Sequence, residues 1–173
     1  AARGEYHSPD DASWIEAEPL WAAAERQGVR AAVFFWVGSE SDWRGRGASL
    51  RRAPFDGDVP EAAKVDQILA WLDLPAPERP RLIMAWWHGC DAAGHAAGPN
   101  AAEIGAQPES QDAQLARLLG GLDARKAWSH TTLLIVSDHG MAEVSDWIDP
   151  LPALESRGIA ARLLAGGGMG NGQ

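Results

Sequence analysis

The sequence has little of several things, and each scarcity narrows what it can be. It has one cysteine, Cys90. No disulfide framework and no cysteine-rich zinc motif can be built from one thiol. It has no apolar run approaching the ~20 residues of a membrane span. It lacks a basic excess: 24 acidic residues stand against 15 basic ones, a formal charge of -9. That balance argues against a nonspecific nucleic-acid surface or an anionic-membrane surface. A local cationic site around bound metal stays compatible with it. There is no internal repeat, no initial Met and no recognisable signal peptide. The start "AARGEY" and the Gly-rich end "AGGGMGNGQ" suggest a stretch of a longer or processed sequence.

What is present is enough for one domain or part of a larger one. The chain has 173 residues, 46% of them apolar. Residues 19–27 read as a helix, with Pro19 near the first turn and Gly28 past the end. "VRAAVFFWV", 29–37, is the nearly continuous apolar run of a strand buried on both faces. The loop "GSESDWRGRGASLRRAPFDGD" follows, with Arg44, Arg46, Arg51 and Arg52. It is too long for a plain connector. These arginines suit a phosphate-rich substrate, or a solvated loop, as most charge runs are.

Asp58 is placed to cap a second helix, with Pro60 in its first turn and Val65, Ile68, Leu69 and Leu72 on one face. "RLIMAWW", 81–87, is a second strand, followed by the Gly-rich loop "HGCDAAGHAAGPN". A third helix is expected over about 110–126, and a third strand at "TTLLIVS", 131–137. A short helix near 151–157 leads to a fourth strand, "IAARLLA", 159–165. This alternation predicts an α/β fold with a mostly parallel central sheet and helices on both faces. Ligands in such sheets gather outside the carboxyl ends of the strands.

Two polar clusters fall there. Asp91 and His95 follow the second strand and lie four apart, so a helical turn or a compact loop brings them to one cation. The alternative is a turn-capping aspartate beside a surface histidine. Asp138 and His139 end the third strand. Neighbours on a strand point to opposite faces, so both reach one ion only if the chain leaves the strand there. Gly140 allows that. The alternative is an ordinary strand-end turn. Taken together, two Asp/His pairs at the ends of two expected neighbouring strands point to a dinuclear metal site. Two ions ~3.5–4 Å apart clamp the attacking and leaving oxygens of a phosphoryl transfer. The oxygen and nitrogen donors suit zinc, with manganese or iron as alternatives.

"DAAGHAAGP" followed by "IVSDHGM" resembles the type I phosphodiesterase/nucleotide pyrophosphatase family of the alkaline phosphatase superfamily. "EPLWAAAERQG", "AVFFWVGSE" and "VDQILAWLDLP" agree with it in order, so the resemblance covers roughly residues 13–165. It implies an alkaline phosphatase-like α/β fold with two zinc ions, Asp91 and His95 on one, Asp138 and His139 on the other. Gly94, Gly98 and Pro99 match positions that shape the first loop; Ser137, Gly140 and Met141 match positions around the second. It implies hydrolysis of phosphodiester or pyrophosphate bonds in nucleotide-like substrates by a metal-bound threonine or serine. It also suggests an extracytoplasmic location, periplasmic or secreted.

The family's first metal-binding aspartate and its nucleophile match nothing here and are expected upstream; its last metal-binding histidine is expected downstream. Residues 1–173 therefore read as a partial catalytic domain, inactive alone. Ser39 and Ser41 are weak substitutes for the nucleophile, and Thr131 and Thr132 lie at the wrong end of their strand. His88 and Cys90 are secondary candidates near the site; His7 and His130 read as surface residues. Trp36, Trp71, Trp86 and Trp87 read as core. Two other readings stand beside this one: a non-catalytic remnant, and another alkaline phosphatase-like phosphohydrolase. A sulfatase would need a Cys-x-Pro-x-Arg setting, which is absent.

Overall fold

The computed structural model describes residues 12–145 and 148–162. Its centre is a three-stranded parallel sheet of β1 (Ala31–Phe34), β2 (Leu50–Arg52) and β3 (Leu82–Ala85), in the order β2-β1-β3. The helices are α1 (Leu20–Arg26), α2 (Glu61–Leu72), α3 (Gly89–Ala97), α4 (Ala102–Ala124) and α5 (Pro150–Glu155). No helix among the described residues is long and apolar enough to cross a membrane.

The alternation of side chains along β1 explains the layering. Ala31 and Val33 pack with Trp21, Ala22 and Ala24 of α1 on one face. Ala32 and Phe34 pack with Trp71 of α2 on the other. Behind α2, Leu118 and Leu122 of α4 join Val65 and Ile68 around Ile83 and Ala85 of β3. All of β1 is buried, which is why its sequence is apolar without a polar alternate. The α/β architecture with helices on both faces is therefore present.

Several boundaries differ from the sequence reading. α2 starts directly after Pro60, so Asp58 is not its cap; the Asp58 amide instead bonds Asp56 Oδ1 at 2.9 Å. β2 lies within the arginine loop. Three residues, Leu-Arg-Arg, carry no strand pattern, and pairing with β1 alone makes them one. The Gly-rich loop after β3 is helix α3. Its alanines favour that state, and Gly98, with φ of +84°, ends it. α4 starts eight residues before the expected Ser110 and runs through Pro108. Proline inside a helix costs ~3 kcal/mol. The first turns of α4 recover part of that by packing on α3, where Ile104 faces Gly94.

The expected third strand is not formed. Residues 131–137 have no strand pairing, and Leu134, Ile135 and Val136 are 79%, 69% and 76% exposed. A strand exists only against a partner that takes its N–H and C=O groups. The outer edge of β3 has no neighbour among the described residues, and only Leu133 of this segment packs on the core. Residues 159–162 of the expected fourth strand are likewise not in a strand. Residues 163–165 and His7 lie outside the described residues.

Candidate functional site

The site is built where β3 hands over to α3. β3 ends at Ala85, and α3 begins four residues later. Asp91 sits in the first turn of α3 and His95 in its last turn. At four apart on a helix they share a face. His95 Nε2 lies 3.4 Å from Asp91 Oδ1.

The second pair comes from the extended segment after α4. His139 Nε2 lies 3.7 Å from the same Asp91 oxygen and 3.6 Å from Asp138 Oδ2. Asp91 therefore joins the two pairs, although Asp138 and His139 do not stand at the end of a formed strand. A glycine explains how the segment reaches α3. A Cβ at Gly94 would fall 2.3 Å from Met141 Sδ and 2.8 Å from its Cε. The Met141 thioether fills the space that any larger residue at 94 would occupy. Asn100 Nδ2 donates to Glu143 Oε2 at 3.1 Å and adds a second tie.

Local hydrogen bonds orient the donors. His139 Nδ1 lies 2.9 Å from the Gly140 carbonyl, so Nδ1 carries a proton and Nε2 is the nitrogen turned toward Asp91 and Asp138. That Gly140 bond, with the nearby charges of Asp138 and Asp91, holds the His139 pKa above its ordinary value. The His139 amide donates to Asp138 Oδ1 at 3.0 Å. Ser137 Oγ donates to the His139 carbonyl and braces the turn.

The Asp91 oxygen at the hub is buried and has no hydrogen-bond donor. A buried carboxylate oxygen without a partner is costly, and a nearby cation, imidazolium or metal, offsets that cost. Two donors each about 2.0–2.1 Å from one tetrahedral zinc stand about 3.3 Å apart. The 3.4 Å separation of Asp91 and His95 fits that spacing, and the other two are slightly wider. Among the described residues no three His, Cys, Asp or Glu side chains form a ready-made cage around one point.

The remaining candidates go elsewhere. Cys90 Sγ donates to Gln111 Oε1 at 3.0 Å, and burial pushes its pKa up, so it is a protonated thiol. His88 caps α3; its Nδ1 lies 3.1 Å from Lys64 Nζ, and its ring packs on Phe55 and Trp86. Ser39 is enclosed at 1% exposure, and Ser41 Oγ accepts from the Ala12 amide. Arg51 pairs with Asp42, Arg52 bonds Gln67, and Arg44 lies over the Trp43 ring. Those three arginines are satisfied within their own neighbourhood. Lys64 escaped the sequence reading. Its signal is a lysine on the apolar face of α2, in helical line with Ile68 and Trp71 and three residues after Glu61.

Comparison with known proteins adds the following. The family model for type I phosphodiesterase / nucleotide pyrophosphatase matches residues 2–167. An uncharacterized pyrophosphatase/phosphodiesterase of Schizosaccharomyces pombe is 38% identical over 81% of this chain and 30% of its own length. Human ectonucleotide pyrophosphatase/phosphodiesterase family member 1 is 31% identical over 76% of this chain and 14% of its own. Among solved structures, human ectonucleotide pyrophosphatase/phosphodiesterase 5 superposes with a TM-score of 0.59 at 26% identity, covering 68% of this chain and 31% of that one. The murine counterpart, an inactive variant in complex with AMP, gives 0.60 at 24% identity, over 66% and 30%. The chain thus spans about a third or less of the length of these proteins.

Proposed function

Because the chain belongs to the type I phosphodiesterase / nucleotide pyrophosphatase family, we propose that it supplies the metal-binding part of a hydrolase acting on phosphodiester or pyrophosphate bonds in nucleotide-like substrates. The observation that carries this reading is the convergence of His95 and His139 on a buried, donorless oxygen of Asp91. Asp91 and His95 are assigned to one divalent ion, and Asp138 and His139 to a second. Zinc suits the mixed donors. When bound, two such ions activate an attacking oxygen and neutralise charge on the phosphoryl group.

The chain's own residues prepare that chemistry. The Gly140 carbonyl holds the His139 imidazole in the tautomer that presents Nε2. Gly94 and Met141 bring the second pair against α3. Ser137 is committed to the His139 carbonyl, so it braces rather than attacks. The attacking hydroxyl is assigned to a part of the longer relatives that this chain does not span. The family's description as nucleotide pyrophosphatases, shared by the human relative, supports a nucleotide-like substrate. Likeness to ectonucleotide and venom phosphodiesterases supports a location outside the cytoplasm.

The test uses the longest native form of the protein. Zinc content and hydrolysis of a nitrophenyl phosphodiester are measured for wild type, Asp138→Ala and His95→Ala. Both variants are expected to lose zinc and activity together. Zinc and rate unchanged in both variants would sink the assignment.

A further inference from the structure

α2 turns a lysine into the core. Lys64 is fully buried, on the helix face that carries Val65, Ile68 and Trp71. A buried ammonium is costly unless paired and hydrogen-bonded. This one has two partners. Its Nζ lies 2.9 Å from Glu61 Oε2 and 3.1 Å from His88 Nδ1. Burial lowers the Lys64 pKa, and Glu61 opposes that shift.

The other Glu61 oxygen continues the chain of contacts. Oε1 accepts from the Gly89 amide at 3.3 Å and from Gln111 Nε2 at 3.1 Å. Gln111 Oε1 in turn accepts from Cys90 Sγ. His88, Gly89 and Cys90 are the cap and the first two residues of α3. Every one of them is tied to the Lys64–Glu61 pair, directly or through Gln111. The next residue is Asp91. Because Lys64 donates to His88 Nδ1, the His88 proton sits on Nε2, and one tautomer is fixed.

We propose that Lys64 and Glu61 are positioning residues for the metal-binding helix: they fix the start of α3, so that Asp91 and His95 are held in ligand geometry against the Asp138–His139 segment. This rests on the metal reading given above. Packing does not need the pair, since Val65, Ile68, Leu118 and Leu122 already hold α2 to α4. A buried ion pair is often replaceable by apolar side chains at little cost to stability. Removing only one partner leaves a buried charge uncompensated and lowers stability as well, so metal affinity, read beside the thermal midpoint, is what reports the positioning role.

The test titrates Co²⁺ into the metal-free longest native form and follows the cobalt absorption bands. It also records the imidazole ¹⁵N shifts of His88 and the thermal midpoint. The variants are Lys64→Met, Glu61→Gln, Asp91→Asn and Leu122→Ala. Lys64→Met and Glu61→Gln are each expected to weaken Co²⁺ binding about 10- to 100-fold, the range for residues that orient metal ligands. Lys64→Met is also expected to release the His88 tautomer. Leu122→Ala should lower the thermal midpoint and leave Co²⁺ affinity unchanged. Wild-type affinity in Lys64→Met or Glu61→Gln, with binding lost in Asp91→Asn, overturns the positioning role and leaves the metal reading standing. Wild-type affinity in Asp91→Asn overturns the metal reading and this inference with it. Should Lys64→Met not fold, Glu61→Gln, which keeps side-chain shape, decides alone.

Discussion

Gly94 shows how one missing methyl group shapes the site. The Met141 thioether occupies the place a Cβ would take. Gly94→Ala should help α3 locally, since alanine is better in a helix by ~1 kcal/mol. It should still weaken metal binding, because Met141 must move and carries Asp138 and His139 with it. The double variant Gly94→Ala/Met141→Ala should recover part of the affinity. Metal titration of the three proteins checks this, and equal affinity in Gly94→Ala and wild type would contradict it. At this scale the sequence drew attention to Asp91, His95, Asp138 and His139 because carboxylate and imidazole recur at short spacing beside glycine, and the structure brings their side chains near one another. The order of contacts was not legible. That Asp91 joins both pairs depends on a segment folded back over α3, which no local pattern encodes. Lys64 was missed for a related reason: a lysine in an apolar stripe reads as a solvated face until its partners, Glu61 and His88, are seen around it.

Elements depend on their neighbours as much as on their own residues. "TTLLIVS" has the composition of a buried strand, yet Leu134, Ile135 and Val136 stand exposed. Its hydrogen-bond partners are not among the described elements. Ile135→Asp should therefore change the stability of residues 1–173 by no more than about 0.5 kcal/mol, as for most surface substitutions. In a longer form that pairs this segment in a sheet, the same change should be severely destabilising. Denaturant unfolding of both forms separates the outcomes, and a large loss in residues 1–173 alone would contradict the first. β1 and α1 were legible because their patterns are self-sufficient: an all-apolar run, and a helix between Pro19 and Gly28. β2 and the early turns of α4 were not, because pairing with β1 and packing on α3 create them.

One carboxylate ties the first helix to the sheet. Glu25 Oε1 accepts from the Ala31 amide at 2.7 Å, at the start of β1, and from the Ser49 amide at 2.8 Å, just before β2. Burial alone would raise its pKa, but these bonds and Arg30 outweigh burial and lower it. A lowered folded-state pKa stabilises above the unfolded value, near 4.5, and the benefit is lost as pH falls through the lower folded value. Glu25→Gln should cost about 1–3 kcal/mol at neutral pH, the range for bonds to a charged group. The difference from wild type should shrink as pH falls below the unfolded value of 4.5 and through the lower folded one. Unfolding curves across pH 3–7 check the sign. A gap that widened toward acid would refute it.

At the scale of the whole molecule, the α/β order was legible in the alternation of apolar runs and amphipathic helices. Its extent was not, since among the described residues three strands find partners. The acidic balance, -9 overall, includes a cluster in which Asp91 and Asp138 meet two imidazoles. Divalent metal is proposed to bind there. The most direct test is the metal-to-protein ratio of the longest native form, measured by elemental analysis for wild type and Asp91→Asn. The account predicts two divalent ions per chain in the wild type and a clear loss in the variant, because Asp91 joins both pairs. A wild-type protein without bound metal, or a variant holding as much metal as the wild type, would contradict it.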